Sequence, residues 1–155
     1  MRTKQKGFSL IELLIVVAII LIIAAIAIPN LLRAKIAANQ ASAVGSLRTL
    51  NTACIAFSTS YGQYPAALSN LGPVGSGGTA SSTSADLIDS VLSAGTKSGY
   101  AFAFGAGTSN QTYTITATPI TAATTGQNMY FTDQSGVIRV DTSGSGASAT
   151  STPIG

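Results

Sequence analysis

Lys6-Gly7-Phe8-Ser9-Leu10-Ile11-Glu12 runs directly into Leu13-Leu14-Ile15-Val16-Val17-Ala18-Ile19-Ile20-Leu21-Ile22-Ile23, and the reading of this junction decides the fold. From Phe8 to Ile28 only Ser9 and Glu12 are polar. As a helix rising 1.5 Å per residue, this stretch reaches about 31 Å, one hydrocarbon thickness of a bilayer. An acidic residue at mid-depth in such a segment costs roughly 2.5 to 3.5 kcal/mol. The Glu12 carboxylate therefore needs a partner.

The flanks orient the segment. Met1 to Gly7 carries Arg2, Lys4 and Lys6 and no acid, so the positive-inside rule keeps the N-terminus cytoplasmic and sends the chain beyond Pro29 across the membrane. An ordinary secretory signal also has a basic start and an apolar middle, with Ala25-Ile26-Ala27 as a small-residue cleavage site, but its apolar region is usually shorter and needs no acid. A permanent single-pass anchor explains the length and leaves Glu12 and the Gly7-Phe8 junction without a purpose.

The basic leader, Gly7, the aromatic Phe8 and Glu12 together closely resemble the processing site of type IV prepilins. The resemblance is specific over residues 6 to 29 and rests only on the order of elements beyond. It implies cleavage after Gly7 by a membrane aspartyl prepilin peptidase, N-methylation of the new amine of Phe8, and pairing of Glu12 with the N-terminal amine of a neighbouring subunit. An ammonium and a carboxylate attract strongly in low dielectric, and either one alone is penalised. The implied partners are copies of this chain in a helical homopolymer, the peptidase, a pilus assembly platform with its ATPases, and the membrane. The implied location is the bacterial inner membrane for the precursor and the cell surface for the fibre, serving adhesion, motility or DNA uptake. A type II secretion pseudopilin shares this N-terminus and is the nearest alternative; a secreted binding module with a conventional signal is another.

Removing the leader also changes the charge. The chain is formally +3, yet without Arg2, Lys4 and Lys6 five basic residues face five acidic ones, which leaves no intrinsic nucleic-acid surface evident. Histidine is absent, Glu12 is the only glutamate, and Asp86, Asp89, Asp133 and Asp141 form no recognisable metal loop. No catalytic site, cofactor or metal is expected, and the chain reads as a non-enzyme. A calcium site using Asp133 or Asp141 is set against turn roles for both.

The expected fold class is α+β: a long N-terminal α-helix whose second half packs on a small antiparallel sheet, as in pilins. The segments are a leader (1–7), a transmembrane and filament-core helix (8–28), its amphipathic continuation (29–61), a globular head (62–141) and a flexible tail (142–155). Pro29 kinks the helix without ending it, and the resemblance implies accessible extended backbone within Leu14 to Ile28. The helix runs from Phe8 to about Ser60, roughly 80 Å at standard rise. Val44, Leu47, Leu50, Cys54, Phe57 and Tyr61 recur at three or four residues and form its buried stripe, while Arg33, Lys35, Asn39, Gln40, Ser46, Arg48 and Asn51 fall mostly elsewhere.

Cys54 is the only cysteine, so no intrachain disulfide closes the head as it does in many pilins, and the thiol reads as a small buried hydrophobe. Phe57, Tyr61 and Tyr64 read as core packing rather than an electron path. Gly62-Gln63-Tyr64-Pro65 ends the helix. Leu68–Leu71 forms a short turn, residues 72–83 an exposed loop, and Ala85–Ala94 a short helix capped by Ser84 and stopped by Gly95. Four strands follow, around Tyr100–Phe104, Thr112–Thr118, Met129–Thr132 and Val137–Val140, the last two joined by the turn Asp133-Gln134-Ser135-Gly136. Asn110-Gln111-Thr112 fits a glycosylation sequon, a short pattern that also occurs by chance, and the Ser/Thr-rich surface could accept O-linked glycans, though ordinary loop composition is the preferred reading.

Overall fold

A computed structural model describes residues 7–154; most of the expected leader, with Arg2, Lys4 and Lys6, lies outside them. The element order is α1 (Leu10–Tyr61), a 3-10 turn (Leu68–Leu71), α2 (Ser90–Ser93), β1 (Thr96–Lys97), β2 (Tyr100–Ala106), a second 3-10 turn (Thr108–Asn110), β3 (Tyr113–Pro119), β4 (Met129–Asp133), β5 (Arg139–Asp141) and β6 (Thr152–Pro153). The fold is α+β, a long N-terminal helix followed by a small antiparallel sheet. The chain divides into two compact units, residues 1–35 and 36–155.

In the first unit α1 passes through Pro29 without interruption and is helical throughout Leu14–Ile28. Its large apolar residues from Phe8 to Leu32 are all exposed, and only the small Ala24 is half-buried.

In the second unit the helix becomes periodic. Ala43, Leu47, Leu50, Cys54 and Phe57 step by four and three and are buried, while Val44 and Tyr61 lie half-buried at the margins of the stripe. The stripe packs on Tyr100, Phe102, Tyr113, Ile115, Ala117 and Tyr130 of the sheet. Burying each of Leu47, Leu50 and Phe57 contributes about 1.5–3 kcal/mol. Phe57 packs on Tyr61 with ring centroids 4.6 Å apart, and Tyr64 meets Tyr113 edge-on at 4.8 Å, in keeping with the core role read for these aromatics. Gly62, at φ +74°, ends the helix in the left-handed conformation, its N–H donating to Ser58 O at 2.8 Å.

Ser46 and Asn51 correct the stripe, because both are buried. Asn51 Nδ2 donates to Thr132 Oγ1 at 2.9 Å and to Gly136 O at 3.3 Å, and Tyr113 Oη donates to Asn51 Oδ1 at 3.1 Å. One amide thereby ties α1 to β3, β4 and the β4–β5 turn.

The sheet is a six-stranded antiparallel meander in the order β1 to β6, not the four strands expected. Its register sets Phe104 opposite Ile115, Ile115 opposite Thr132 and Tyr130 opposite Val140, so alternate residues meet α1. The two added strands have two residues each, too short to carry an alternation signal. The last lies in the segment expected to be a flexible tail, and its pairing with β5 corrects that expectation.

The helix expected over Ala85–Ala94 shrinks to Ser90–Ser93. The N–H groups of Ala85, Asp86, Leu87 and Ile88 donate instead to the carbonyls of Asn70, Gly72, Leu71 and Leu71, and Asp86 sits at φ +55°. Tertiary bonds outcompete the local helix. Asp89, rather than Ser84, is the cap, accepting from Leu92 N at 2.7 Å and from Lys97 Nζ at 2.8 Å. These two donors, Lys97 first, hold the exposed Asp89 carboxyl below its usual value.

Asn51→Ala removes the hub of a buried network and leaves the hydroxyls of Tyr113 and Thr132 without it, so the head should lose about 2–3 kcal/mol, read as a lowered denaturant midpoint. Burial pushes the phenol of Tyr100 up to about 12, and it raises that of Tyr113 as well. Neutral phenols favour the fold below the ordinary tyrosine value near pH ~10, and that stability is lost as pH rises toward the folded values. Ultraviolet titration should therefore show these two tyrosines ionising together with unfolding; titration of a head that remains folded, at their ordinary value, contradicts it.

Candidate assembly site on the N-terminal helix

The site is built by the start of α1. Residues 7–9 are non-helical and Leu10 opens the helix, with Leu13 N donating to Ser9 O at 3.3 Å. Glu12 occupies the third helical position, and its Oε2 accepts from Ser9 N at 2.9 Å. This is the glutamate half of a capping box. It satisfies one orphan donor and places negative charge at the positive end of the helix dipole. The Ser9-x-x-Glu12 spacing carries this signal in the sequence, where Glu12 was read only for intersubunit pairing.

Gly7 and Phe8 precede the capped turn. Phe8 is 79% exposed, and a Cβ added to Gly7 meets nothing within 4 Å. Among the described residues, no packing contact requires glycine there. The peptide between them lies outside the helix, in backbone open to another molecule. Pro29 lies within α1, away from Glu12 in sequence, and the structure does not bring the two together.

Around and beyond the capped turn, Leu10, Leu13, Leu14 and Val17 line a shallow apolar groove. Leu10 is 80% exposed, and the helix is long and apolar enough to cross a membrane.

The head offers different chemistry. Burial pushes the Cys54 thiol up to about 12, far from a reactive thiolate. Asp133 Oδ1 accepts from the N–H and hydroxyl of Ser135, and the Asp141 carboxylate accepts from Ser143, Ser145 and Gly146. Both carboxylates are turn-forming groups. Among the described residues, no three His, Cys, Asp or Glu come together.

Residues 2–28 match the family model described as the prokaryotic N-terminal methylation motif. Over this segment the chain is similar to type IV major pilins. The chain is 46% identical over 61 residues to the type IV major pilin protein PilA of Myxococcus xanthus, covering 39% of this chain and 28% of that one. It is 65% identical over 37 residues to the type IV wide pilus major component PilA4 of Thermus thermophilus, covering 24% and 28%. With the type IV major fimbrial protein FimA of Dichelobacter nodosus it shares 52% over 59 residues, covering 36% and 37%. The matched stretch thus spans 28% to 37% of the length of these pilins. No solved structure matches it.

The capped start of α1 gives a direct expectation. Glu12→Gln retains a side-chain acceptor for Ser9 N–H, whereas Glu12→Ala removes it at a cost of about 0.5–2 kcal/mol to the first turn. Amide exchange at Ser9, measured in detergent micelles, should rise in the alanine variant well above the glutamine variant; equal exchange in both contradicts the cap.

Proposed function

We propose that this chain is a structural subunit of a type IV pilus, trimmed between Gly7 and Phe8, N-methylated at Phe8, and polymerised through α1. The observation that carries this reading is the exposure of the apolar helix from Phe8 onward, interrupted only at its start by Ser9 and Glu12. In water each such Leu, Ile or Phe forgoes about 1.5–3 kcal/mol of burial. A bilayer supplies that burial to the precursor, and neighbouring copies supply it in a fibre. Lateral apolar packing then provides adhesion without direction.

Glu12 supplies register. Its carboxylate pairs with the Phe8 amine of a neighbouring subunit, and Pro29 marks where the uniformly apolar part of the helix ends. The N-terminus begins in the cytoplasm, with the precursor in the inner membrane and the fibre at the cell surface. Prepilin peptidase, an assembly platform and its ATPases act on the chain from outside it, and the chain itself is not an enzyme. The similarity to named major pilins supports the same role.

Glu12→Ala should be cleaved normally yet yield few fibres, since the amine loses a buried partner, a change that costs about 3–5 kcal/mol when one member of a buried pair is removed. Replacing Gly7 with a bulky residue should accumulate uncut precursor in the membrane. Mass spectrometry of the natural product decides between processing routes: N-methylated Phe8 supports the pilus, and an N-terminus at Ile28 supports secretion by an ordinary signal. Imaging decides location, because a protein confined to the periplasm overturns the surface fibre in favour of a secretion pseudopilin.

A further inference from the structure

The sheet ends on a strand of unusual composition. After Asp141 the chain doubles back through a Ser/Gly turn whose N–H groups at Ser143, Ser145 and Gly146 converge on the Asp141 carboxylate, each at 3.0 Å. The returning segment is then fastened at three points. Arg139 Nη1 donates to Ser151 O at 3.1 Å, Ile154 N donates to Ile138 O at 2.8 Å, and the Ile154 side chain packs against the hydrophobic core. Between these points β6 pairs with β5, Thr152 opposite Val140 and Pro153 opposite Arg139.

The register decides what β6 offers to its other side. In an antiparallel pair, hydrogen-bonded and non-bonded positions alternate. The bond from Ile154 N to Ile138 O makes Thr152 and Val140 the next bonded pair, so the backbone of residue 153 faces away from β5, toward the free edge. Residue 153 is proline and has no N–H to present there. An edge strand normally exposes a row of donors and acceptors on which another chain can build.

We propose that the C-terminal segment Asp141–Ile154 is an edge seal: it covers the β5 edge against strand addition by a second copy of this chain, and Pro153 denies that copy a donor on the outer side. Crowded copies present their sheet edges to one another at high local concentration, and an open β5 would let them join irreversibly through backbone bonds. In this chain non-covalent bonds hold the covering segment in place, since Cys54, the only cysteine, is buried and unpaired.

Two full-length variants in detergent test this. Ile154→Asp removes the apolar plug, and the amide of Val140 should exchange at least about tenfold faster while that of Ile115, in the core of the sheet, keeps its protection. Pro153→Thr restores an outward donor without disturbing the plug, and should give particles that grow with protein concentration and show the infrared signature of intermolecular sheet. Unchanged Val140 exchange in the first variant overturns the fastening. Particles of parental size at every concentration in the second overturn the seal. Neither result depends on whether the chain forms fibres.

Discussion

An exposed apolar helix that begins with a carboxylate is stable only where other apolar groups cover it and something answers the charge. From Phe8 to Leu32 the large apolar side chains are exposed, and Glu12 is the one charged residue among them. The same helix changes character beyond Lys35. There, apolar residues withdraw to a stripe of three- and four-residue steps, and the remaining faces carry Ser, Thr, Gln and Arg. A uniform apolar surface asks for partners on every side, whereas a stripe asks for one sheet.

The parts legible in the sequence were those governed by local pattern. The long apolar helix, its end at Gly62 and the four longer strands each carry their signal within a few residues. The misread parts depend on contacts between distant residues. Asn51 looked like a solvated polar residue because its partners, Thr132, Gly136 and Tyr113, lie at least 62 residues away. Ala85–Ile88 had the composition of a helix start and lost its amides to the carbonyls of residues 70–72. β6 has two residues, one a proline, and owes its order to Arg139, Ile138 and the core beneath Ile154. Ser9 was legible and overlooked: its spacing to Glu12 is a capping signature, eclipsed by the membrane reading of the same carboxylate.

The head's few charges are mostly employed locally. Asp89 caps α2 and holds Lys97, Asp133 and Asp141 fold turns, and Arg139 reaches Ser151. Only 8% of the residues are charged, so the surface gains solubility from hydroxyls and backbone rather than from net charge. A neutral, hydroxyl-rich surface repels its copies weakly, which permits close packing and removes the charge repulsion that otherwise guards sheet edges. Such a head needs its edges finished by geometry, and the proline-bearing last strand is the kind of finish this physics requires.

Glu12 shows why specificity and adhesion reside in different groups. In the single chain its carboxylate already accepts Ser9 N–H, so it is not a bare charge awaiting rescue. Under the proposed assembly, a neutral donor is joined or replaced by an ammonium, and a charged hydrogen bond contributes about 1.5–3 kcal/mol net against roughly 0.5–1.5 for a neutral one. The gain from that exchange is about 1–2 kcal/mol, comparable to one buried leucine, while the helix exposes a long run of such side chains. The pair is too weak to hold a polymer together and strong enough to select one axial position among many of nearly equal apolar contact. In that proposed assembly the apolar residues decide that copies adhere, and the single carboxylate decides where.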